Sequence, residues 1–514
     1  MKKIVVLSLI ALLVLAFGAT AFAQAKKDEP AMQFKASGFI DALFNSYVNV
    51  TDGSGGAGIF DTIPGTFKRA ASPNGFDENA SYWATRARLK FDWIMGKQSS
   101  ATMLFEMDSS QWGEIAGTGA QRNQMGQWAA DRAAVEIKSI YFDFGVPAIT
   151  VPITVRVGMH PLNIRPNLLV YTDGMGIIGS IKVDPANIQL IYFKPLEGTT
   201  WTADDVNVYG LHANAKVGPV TAGGYALYYN MNSYPFVAET ASLPLFPAVS
   251  PTDNNADIWW FGAYADGKVG PVNLNFDFIY DRGTVERRSS LTSVRDVKLR
   301  GWTTRAKVDF PWEKLNFGVV GNYSSGADLK KTGARGLPGD PVAFNGGAPA
   351  IASTKVGSYI VPPGSEAGAI YGESVVMFSF GPNRGTSGIA NSNNYTRVSR
   401  GGPGGTWLGK AYASFKPTPW YKVTVQGMYI GDTTKNGNTF GTAVKPTGLL
   451  RDDKDIGWEA DLINEIQIYK NLSFVLAGGY LWAGDAMDQR IPLTLTNDSP
   501  KNPWQITGIL TYSF

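Results

Sequence analysis

The chain has 514 residues and no cysteine; 44% of its residues are apolar and 12% are aromatic. Without thiols it is neither a disulfide-stapled miniprotein nor a protein with cysteine-bound metal, and its aromatic content is too high for a disordered chain. The 46 Lys and Arg residues nearly balance the 43 Asp and Glu residues, so the formal charge of +3 does not favour a nucleic-acid binder.

The N-terminal segment has the features of a secretory signal. Lys2 and Lys3 precede the apolar run 4–17, and residues 21–23 provide the small side chains that a signal peptidase accepts. We therefore expect residues 1–23 to be a cleaved signal peptide and residues 24–514 to form a single domain. After residue 23 there is no run of about 18 apolar residues, so no transmembrane helix is expected.

The rest of the chain contains segments of about ten residues that alternate between apolar and polar side chains, which is typical of strands with one apolar face. The first such strand is expected near residues 34–47. In a later segment Arg86, Arg88 and Lys90 occupy alternate positions, and the apolar residues lie between them. A row of three basic side chains therefore lines one face of that strand.

The C-terminal segment shows the alternation most clearly. One parity is apolar and consists of Trp504, Ile506, Gly508, Leu510, Tyr512 and Phe514. The other parity is polar except for Ile509. Similar strands are expected at 272–278 and 302–310. Because aromatic residues cluster at the strand ends, as in the two interfacial belts of a membrane barrel, we favour a transmembrane β-barrel over a soluble β-sandwich.

Tight turns alternate with long polar connections. The tight turns are expected near 95–98, 147–151, 184–187, 218–219, 270–271, 311–314, 417–419 and 470–471. The long segments are 49–80, 111–132, 160–175, 197–204, 232–256, 282–296, 324–405, 432–454 and 484–502. This pattern predicts an antiparallel barrel with short periplasmic turns and long extracellular loops. It has 18 strands, or 16 if the weak pair around 176–194 is not formed.

The segment 324–405 is rich in Gly and Pro and is interpreted as an extracellular loop. A loop of this length without structure is uncommon in a compact domain. Residues 374–381 alternate in polarity and are a candidate for a further strand within the loop. The loop either caps the pore, binds a partner or forms an extra hairpin.

A barrel of 16–18 strands is too wide for its inward side chains to fill, so an aqueous channel and passive diffusion of small hydrophilic solutes and ions are expected. The inward parity carries charges of both signs, which would orient water and dipolar solutes across the channel. The candidate pore-lining residues are Arg86, Arg88, Lys90, Glu106, Asp108, Arg156, Asp277, Arg305, Lys307, Glu459, Asp461 and Glu465.

Signals for catalysis or cofactor binding are weak. There are only two histidines: His160 lies in an expected loop and His212 at an inward strand position, and neither has a partner at a catalytic spacing. The run Asp452-Asp453-Lys454-Asp455 lacks the spacing of a calcium loop. We therefore expect no enzyme activity, no catalytic residues, no metal and no cofactor.

Several motifs, taken in order, resemble the outer-membrane homotrimeric porins of sulfate-reducing and related Gram-negative bacteria. Near the N-terminus they are FKASG at 34–38, RARLKF at 86–91, LFE at 104–106, VEIKSIYFDF at 135–144 and VRVGM at 155–159. Near the C-terminus they are GWEADL at 457–462, YKNL at 469–472 and GYLWAG at 479–484. The likeness covers roughly the first 160 and the last 60 residues by motif, and the middle mainly by pattern.

This resemblance implies a trimer of barrels in the outer membrane, in contact with its lipid and lipopolysaccharide, each barrel passing small hydrophilic solutes. The terminal strand with Tyr512 and Phe514 resembles the signal that the barrel-assembly machinery reads. Two alternatives remain open: a substrate-specific channel for anionic small molecules, and a barrel serving in adhesion or envelope structure. A lumen plugged by segment 324–405 would favour the structural barrel.

Overall fold

The computed structural model describes residues 32–49, 79–113, 124–125, 133, 135–147, 151–197, 204–233, 254–287, 297–332, 355–367, 371–378, 403–441, 443–490 and 496–514. The expected signal peptide, residues 1–23, lies outside these ranges. Within them, no helix is both long enough and apolar enough to cross a membrane.

Eighteen long strands follow one another around a single sheet. They are β1 (Met32–Val48), β2 (Asn79–Met95), β3 (Ser99–Trp112), β4 (Glu136–Gly145), β5 (Ile153–Ile164), β6 (Val170–Val183), β7 (Ala186–Leu196), β8 (Val206–Val217), β9 (Val220–Met231), β10 (Asn254–Val269), β11 (Val272–Arg287), β12 (Trp302–Trp312), β13 (Leu315–Ser324), β14 (Thr406–Thr418), β15 (Tyr421–Asp432), β16 (Asp455–Tyr469), β17 (Leu472–Ala483) and β18 (Trp504–Ser513). Each strand pairs antiparallel with the next.

The first and last strands close the sheet into a barrel. β1 pairs with β18 from Phe39 opposite Ser513 to Val48 opposite Trp504. Gly38 and Phe514 extend the pairing, each donating its N–H to the other's carbonyl oxygen, at 2.9 and 3.0 Å. The expected all-β barrel of 18 strands is confirmed. The weak pair around 176–194 is formed by β6 and β7.

The connections divide as expected into a short-turn end and a long-loop end, and both the first residue of β1 and the last residue of β18 lie at the short-turn end. One connection was predicted wrongly. Residues 160–175 are not a long loop, because β5 continues through His160 to Ile164 and β6 begins at Val170. The alternation continues there on the lumen side, where His160 and Leu162 are buried.

The outer face carries two aromatic belts. At the long-loop end the rings of neighbouring strands contact one another, with centroid distances of 5.2 Å for Trp83 and Trp112, 4.5 Å for Tyr228 and Trp259, and 5.0 Å for Trp302 and Tyr323. At the short-turn end exposed aromatic residues include Phe34, Phe142, Phe310, Trp312, Phe415, Tyr469, Tyr512 and Phe514. Aromatic rings at both ends of an apolar band suit the two interfaces of a lipid bilayer.

The inner face is not uniformly polar. Towards the long-loop end, most inward side chains of β7–β11 are apolar and buried, and the buried carboxyl of Asp281 lies among them. They include Ile191, Phe193, Val206, Val208, Leu227, Tyr229, Met231, Ile258, Trp260 and Ile279. These side chains form one cluster with Leu168 and Leu169 of the β5–β6 connection and with Tyr359 and Ile360 of the β13–β14 connection. One side of the lumen is therefore filled by a dry core that the alternation did not predict.

Candidate functional site: the lumen and its inner segment

Two described parts of the β13–β14 connection, residues 357–367 and 371–378, lie inside the barrel and are called the inner segment below. Most of its side chains are buried. Its N-terminal part is fixed to β10 and β11: Trp260 donates its indole N–H to the Ile360 carbonyl oxygen at 2.9 Å, and the Ile360 N–H donates to the Asp281 carboxylate at 3.2 Å. The Asp281 carboxylate also accepts the Gly301 N–H at 2.8 Å.

The inner segment also contacts the short β5–β6 connection. Tyr359 donates its hydroxyl to the Leu168 carbonyl oxygen at 2.5 Å, and Ser365 donates its hydroxyl to the Leu169 carbonyl oxygen at 2.9 Å. The Tyr171 N–H in turn donates to the Ser365 hydroxyl at 3.2 Å. Two connections from different parts of the chain are thus joined inside the lumen.

Arg165, in the β5–β6 connection, reaches with its side chain across the barrel interior. Its backbone has a φ of 45°, and its guanidinium donates to Asp266 on β10 at 2.6 Å and to Asp277 on β11 at 2.7 Å. Burial alone would lower the pKa of Arg165, but the two carboxylates raise it above its ordinary value. Asp277, a candidate pore-lining residue, is buried beneath Arg165.

Glu373 is the main charged anchor of the inner segment. Its carboxylate accepts two bonds from Arg305 on β12, at 2.8 and 2.5 Å, and pairs with Lys410 on β14 at 2.5 Å. Burial alone would raise the pKa of Glu373, but Lys410 and Arg305 hold it below its ordinary value, so the carboxylate is charged. The candidate Arg305 therefore binds the inner segment.

Two further candidates, Glu459 and Asp461 on β16, bind the C-terminal part of the inner segment. Glu459 accepts the N–H groups of Val376 and Met377 at 2.6 and 3.0 Å, and Asp461 accepts the N–H of Val375 at 3.2 Å. Ser374 makes an isolated bridge and residues 375–378 form bends, so the strand expected at 374–381 is wrong for its described part. These backbone groups donate to carboxylates of the wall, and residues 379–381 lie outside the described ranges.

The basic row of β2 lies on the opposite wall. β2 and β11 are nine strands apart in a barrel of eighteen, so they face each other across the lumen. Arg88 pairs with Glu106 on β3, and Lys138 on β4 joins the same carboxylate at 3.3 Å. Arg86 lies in the inward row, where its backbone N–H donates to Asp41 at 3.2 Å.

Three cations of this wall are more exposed than their carboxylate partners, whereas Lys138, at 16%, is slightly less exposed than its partner Asp173, at 20%. Arg88 is 22% exposed and Glu106 2%, and Lys90 is 40% exposed against 18% for its partner Asp92. The same order holds for Arg156 on β5 and Asp143 on β4, which pair at 2.8 Å and are 35% and 23% exposed. The charge that water in the lumen meets at this wall is therefore mainly positive.

The other candidates lie elsewhere in the barrel. Lys307 pairs with Asp309 at 3.4 Å. Near the short-turn end Glu465 pairs with Lys422 at 2.5 Å, and the two are 43% and 40% exposed. Asp108 is a residue of β3, but its side chain is outside the described part of the structure.

The remaining residues that the sequence analysis considered form hydrogen bonds or ion pairs with other side chains of the barrel. His212 faces the lumen, where its ring nitrogens contact Gln189 at 3.0 Å and Tyr264 at 2.9 Å. In the β15–β16 connection Arg451 contacts Asp453, and Lys454 contacts Asp452. Among the residues that the structure describes, no group of three or more His, Asp or Glu side chains could hold a metal ion.

Sequence reasoning missed several members of these clusters. Lys410 and Asp143 are inward residues of regular strands, so the alternation that selected Arg86 could have found them. Lys138 lies at an irregularity in the β3–β4 pairing, which breaks the parity rule. Arg165 and Glu373 lie in connections without periodicity, where no local signal indicates an inward side chain.

No protein-family model matches this chain, and no curated protein matches it. Similar solved structures come from Pseudomonas aeruginosa. OpdQ has 9% identity and a TM-score of 0.49 over 94% of this chain and 98% of that chain. OccK8 (OprE) has 9% identity and a TM-score of 0.48 over 94% and 98%. OpdK, solved with vanillate, has 11% identity and a TM-score of 0.45 over 93% and 98%.

Proposed function

We propose that this barrel is an outer-membrane porin, a water-filled channel for passive diffusion of small hydrophilic solutes and ions. The observation that carries the proposal is that charged side chains facing the lumen remain open to solvent. Lys90, Arg156, Lys422 and Glu465 are all more than a third exposed although they point inward. Charged groups are stable at these positions only if water fills that part of the lumen.

The barrel lies in the outer membrane of a Gram-negative bacterium, with its short turns and both ends of the sheet in the periplasm. The apolar outer face and its two aromatic belts support this placement. Membrane lipid and lipopolysaccharide cover the outer face. The exposed Tyr512 and Phe514 at the end of the chain are the signal for the barrel-assembly machinery. Following the resemblance of its sequence, the protein assembles as a homotrimer with one pore in each barrel.

The inner segment sets the width of the channel. Its hydrogen bonds run to the β5–β6 connection and to β10, β11, β12, β14, β15 and β16. Most of these strands lie on the side opposite the basic row. Solutes pass between this segment and the wall that carries Arg88 and Lys90. Charges of both signs along the route replace part of a solute's hydration and disfavour apolar molecules.

Single-channel recording of the purified protein in a planar bilayer tests this proposal. Stable conductance that closes in three equal steps is the expected result, and the reversal potential in a salt gradient gives the ion preference. Protein unfolded before addition serves as the control. A folded protein that inserts but remains electrically silent would overturn the proposal in favour of a plugged structural barrel.

A second candidate is a substrate-specific channel for anionic small molecules. The greater exposure of Arg88, Lys90 and Arg156 than of their carboxylate partners favours it, because guanidinium groups bind carboxylate or phosphate with paired hydrogen bonds and an ammonium group adds a positive charge. Flux measured in liposomes separates the two candidates. Flux of a small organic acid that saturates, and that other acids inhibit, indicates a specific channel, whereas flux proportional to concentration indicates an open pore.

A further inference from the structure

Lysine and amide side chains lie next to one another on the inner wall of β6–β9, near the short-turn end. Lys182 belongs to β6, Asn187 to β7, Asn214 and Lys216 to β8, and Thr221 to β9. The two lysines are exposed, and the two asparagines and the threonine are partly exposed. We call these five residues the lysine–amide wall.

A repeated turn sequence places both lysines. The segments KVDPA at 182–186 and KVGPV at 216–220 join β6 to β7 and β8 to β9, and KVGPV occurs again at 268–272, between β10 and β11. In each segment the lysine is the last residue but one of its strand. The equivalent turns therefore give the lysines equivalent positions at the mouth of the barrel.

Strand pairing fixes the order of the side chains across the wall. Lys182 is opposite Asn187, Asn187 is opposite Asn214, and one step nearer the mouth Lys216 is opposite Thr221. Residues directly opposite each other point to the same face of the sheet. Neighbouring strands are about 4.8 Å apart and alternate residues about 7 Å apart, so the two lysines start roughly 12 Å apart. Their flexible four-carbon side chains span that distance to a common anion.

The wall faces the lumen. Asn214 and Lys216 have the same parity on β8 as Val208, whose buried side chain belongs to the cluster inside the barrel. Between them the other parity points outward, with Leu211 and Val217 47% and 66% exposed. The ammonium and amide groups of the wall therefore meet water in the lumen and not membrane lipid.

The β5–β6 connection bounds the wall on its long-loop side. The Arg165 guanidinium lies 4.6 Å from the centre of the Tyr264 ring, and the Tyr264 hydroxyl contacts His212 at 2.9 Å. The ring itself covers Gly223, the residue of β9 that is opposite Asn214. A solute that has passed Arg165 towards the short-turn end therefore meets the lysine–amide wall next.

The carboxylates near the wall have partners or lie in a turn. Asp266 accepts hydrogen bonds from Arg165 at 2.6 and 3.2 Å and a further one from Asn275. Asp184 lies in the β6–β7 turn. In the part of the chain that the structure describes, neither lysine of the wall forms an ion pair. The undescribed residues of the preceding short turn, 148–150, are uncharged in the sequence.

The chemistry of the wall indicates the class of ligand. Ammonium groups only donate hydrogen bonds, whereas carboxamide and hydroxyl groups both donate and accept. A simple anion leaves the carbonyl oxygens of Asn187 and Asn214 without a donor, and the lysines repel an amine. Hydroxyl groups supply neutral donors. A phosphate monoester carries nearly two negative charges at neutral pH, which two ammonium groups match better than the single charge of a carboxylate.

We propose that the lysine–amide wall binds a small phosphorylated polyol, such as a sugar phosphate, on its route through the channel. This inference rests on the channel proposed above and assigns it a class of solute. Lys182 and Lys216 bind the phosphate group. Asn187, Asn214 and Thr221 exchange hydrogen bonds with the hydroxyl groups.

Glucose 6-phosphate is the probe, and glucose and inorganic phosphate are compared with it as its two parts. Binding to the full chain is measured by isothermal titration calorimetry in detergent and by block of the ion current in a planar bilayer. We expect glucose 6-phosphate to bind about tenfold more tightly than either part, because only the whole molecule uses both sets of hydrogen bonds.

Two double variants separate the roles of the lysines and the amides. Lys182→Gln with Lys216→Gln should weaken the binding of both glucose 6-phosphate and inorganic phosphate about tenfold, because each exposed ion pair contributes a few-fold. Asn187→Ala with Asn214→Ala should weaken the binding of glucose 6-phosphate about tenfold and leave that of inorganic phosphate unchanged. The unchanged phosphate binding also shows that the amide variant is folded.

Matched controls carry the same substitutions at other places. Lys97→Gln with Lys470→Gln removes two exposed lysines from turns of the same end, between β2 and β3 and between β16 and β17. Asn207→Ala with Asn230→Ala removes two asparagines that are opposite each other on the outer face of β8 and β9. Both controls should bind glucose 6-phosphate as the wild type does.

The outcomes distinguish the site from the channel. Equal binding of glucose 6-phosphate and inorganic phosphate, or an equal loss in a control and in its test variant, would overturn the proposed site. A barrel that conducts ions but does not bind glucose 6-phosphate would refute the site and keep the channel. A barrel that is silent in the bilayer but binds glucose 6-phosphate in calorimetry would refute the channel and keep the site.

Discussion

Removal of the Glu373 carboxylate tests whether the inner segment narrows the channel. In the Glu373→Ala variant Arg305 and Lys410, which are only 15% and 7% exposed, lose their common partner. Arg305 keeps a bond of 2.6 Å to Asn275, and Lys410 keeps one of 2.9 Å to the Glu373 carbonyl oxygen. Breaking a buried ion pair by removing one partner costs about 3–5 kcal/mol.

This cost falls on the docking of the inner segment, because the strand pairing of β12 and β14 does not involve Glu373. A change of 3–5 kcal/mol shifts the ratio of docked to released segment by roughly two to three and a half powers of ten. We therefore expect larger and noisier single-channel conductance. The barrel itself should remain folded, with unchanged circular dichroism.

A cysteine reporter gives a second readout, because the chain has no natural cysteine. Val376 is fully buried against β16, so a thiol in the Val376→Cys variant should react slowly with a charged thiol reagent, and adding Glu373→Ala should make it react rapidly. The matched control is Glu465→Ala, whose exposed pair with Lys422 contributes about 1 kcal/mol or less. Unchanged conductance and a thiol that stays protected in the Glu373→Ala background would refute this account of the inner segment.

Three further outcomes are expected. Replacing Arg86, Arg88 and Arg156 together by Ala should shift the reversal potential in a salt gradient towards cation preference, and an unchanged potential would show that these side chains do not line the route of ions. Because the pKa of Glu373 lies below its ordinary value of 4.5, its contribution to docking is complete above that pH and is lost as the pH falls below it; conductance should rise only at such low pH, and it should not rise in the same way in Glu373→Gln. In Gly38→Ala the added methyl group overlaps the Arg88 carbonyl oxygen where β1 closes the barrel. The free energy of unfolding measured in a urea titration should therefore fall by about 1–3 kcal/mol. Gly321→Ala, with open space at its Cβ, should unfold as the wild type does.

Local patterns in the sequence were sufficient to predict the barrel fold. Side chains of a strand point to the same face every two residues. The outward position of Trp83 and the inward row of Arg86, Arg88 and Lys90 can therefore be assigned without knowledge of any neighbouring strand. The tight turns and the final strand are also local signals, and they were sufficient to predict the order and number of strands. The error at 160–175 arose because β5 continues with buried side chains on the lumen side, whereas Pro161 and Asn163, at the alternate positions, resemble loop residues.

The arrangement of the lumen depended on contacts between residues far apart in the chain. Arg165 and Asp277 are 112 residues apart, Glu373 and Arg305 68 residues, and Val376 and Glu459 83 residues. Each pair forms only when the closed barrel brings a strand close to a connection from a distant part of the chain. Periodicity along the sequence therefore cannot predict such pairs. The alternation indicated which charges point inward, whereas only the tertiary structure decided which of them face water and which are covered by the inner segment.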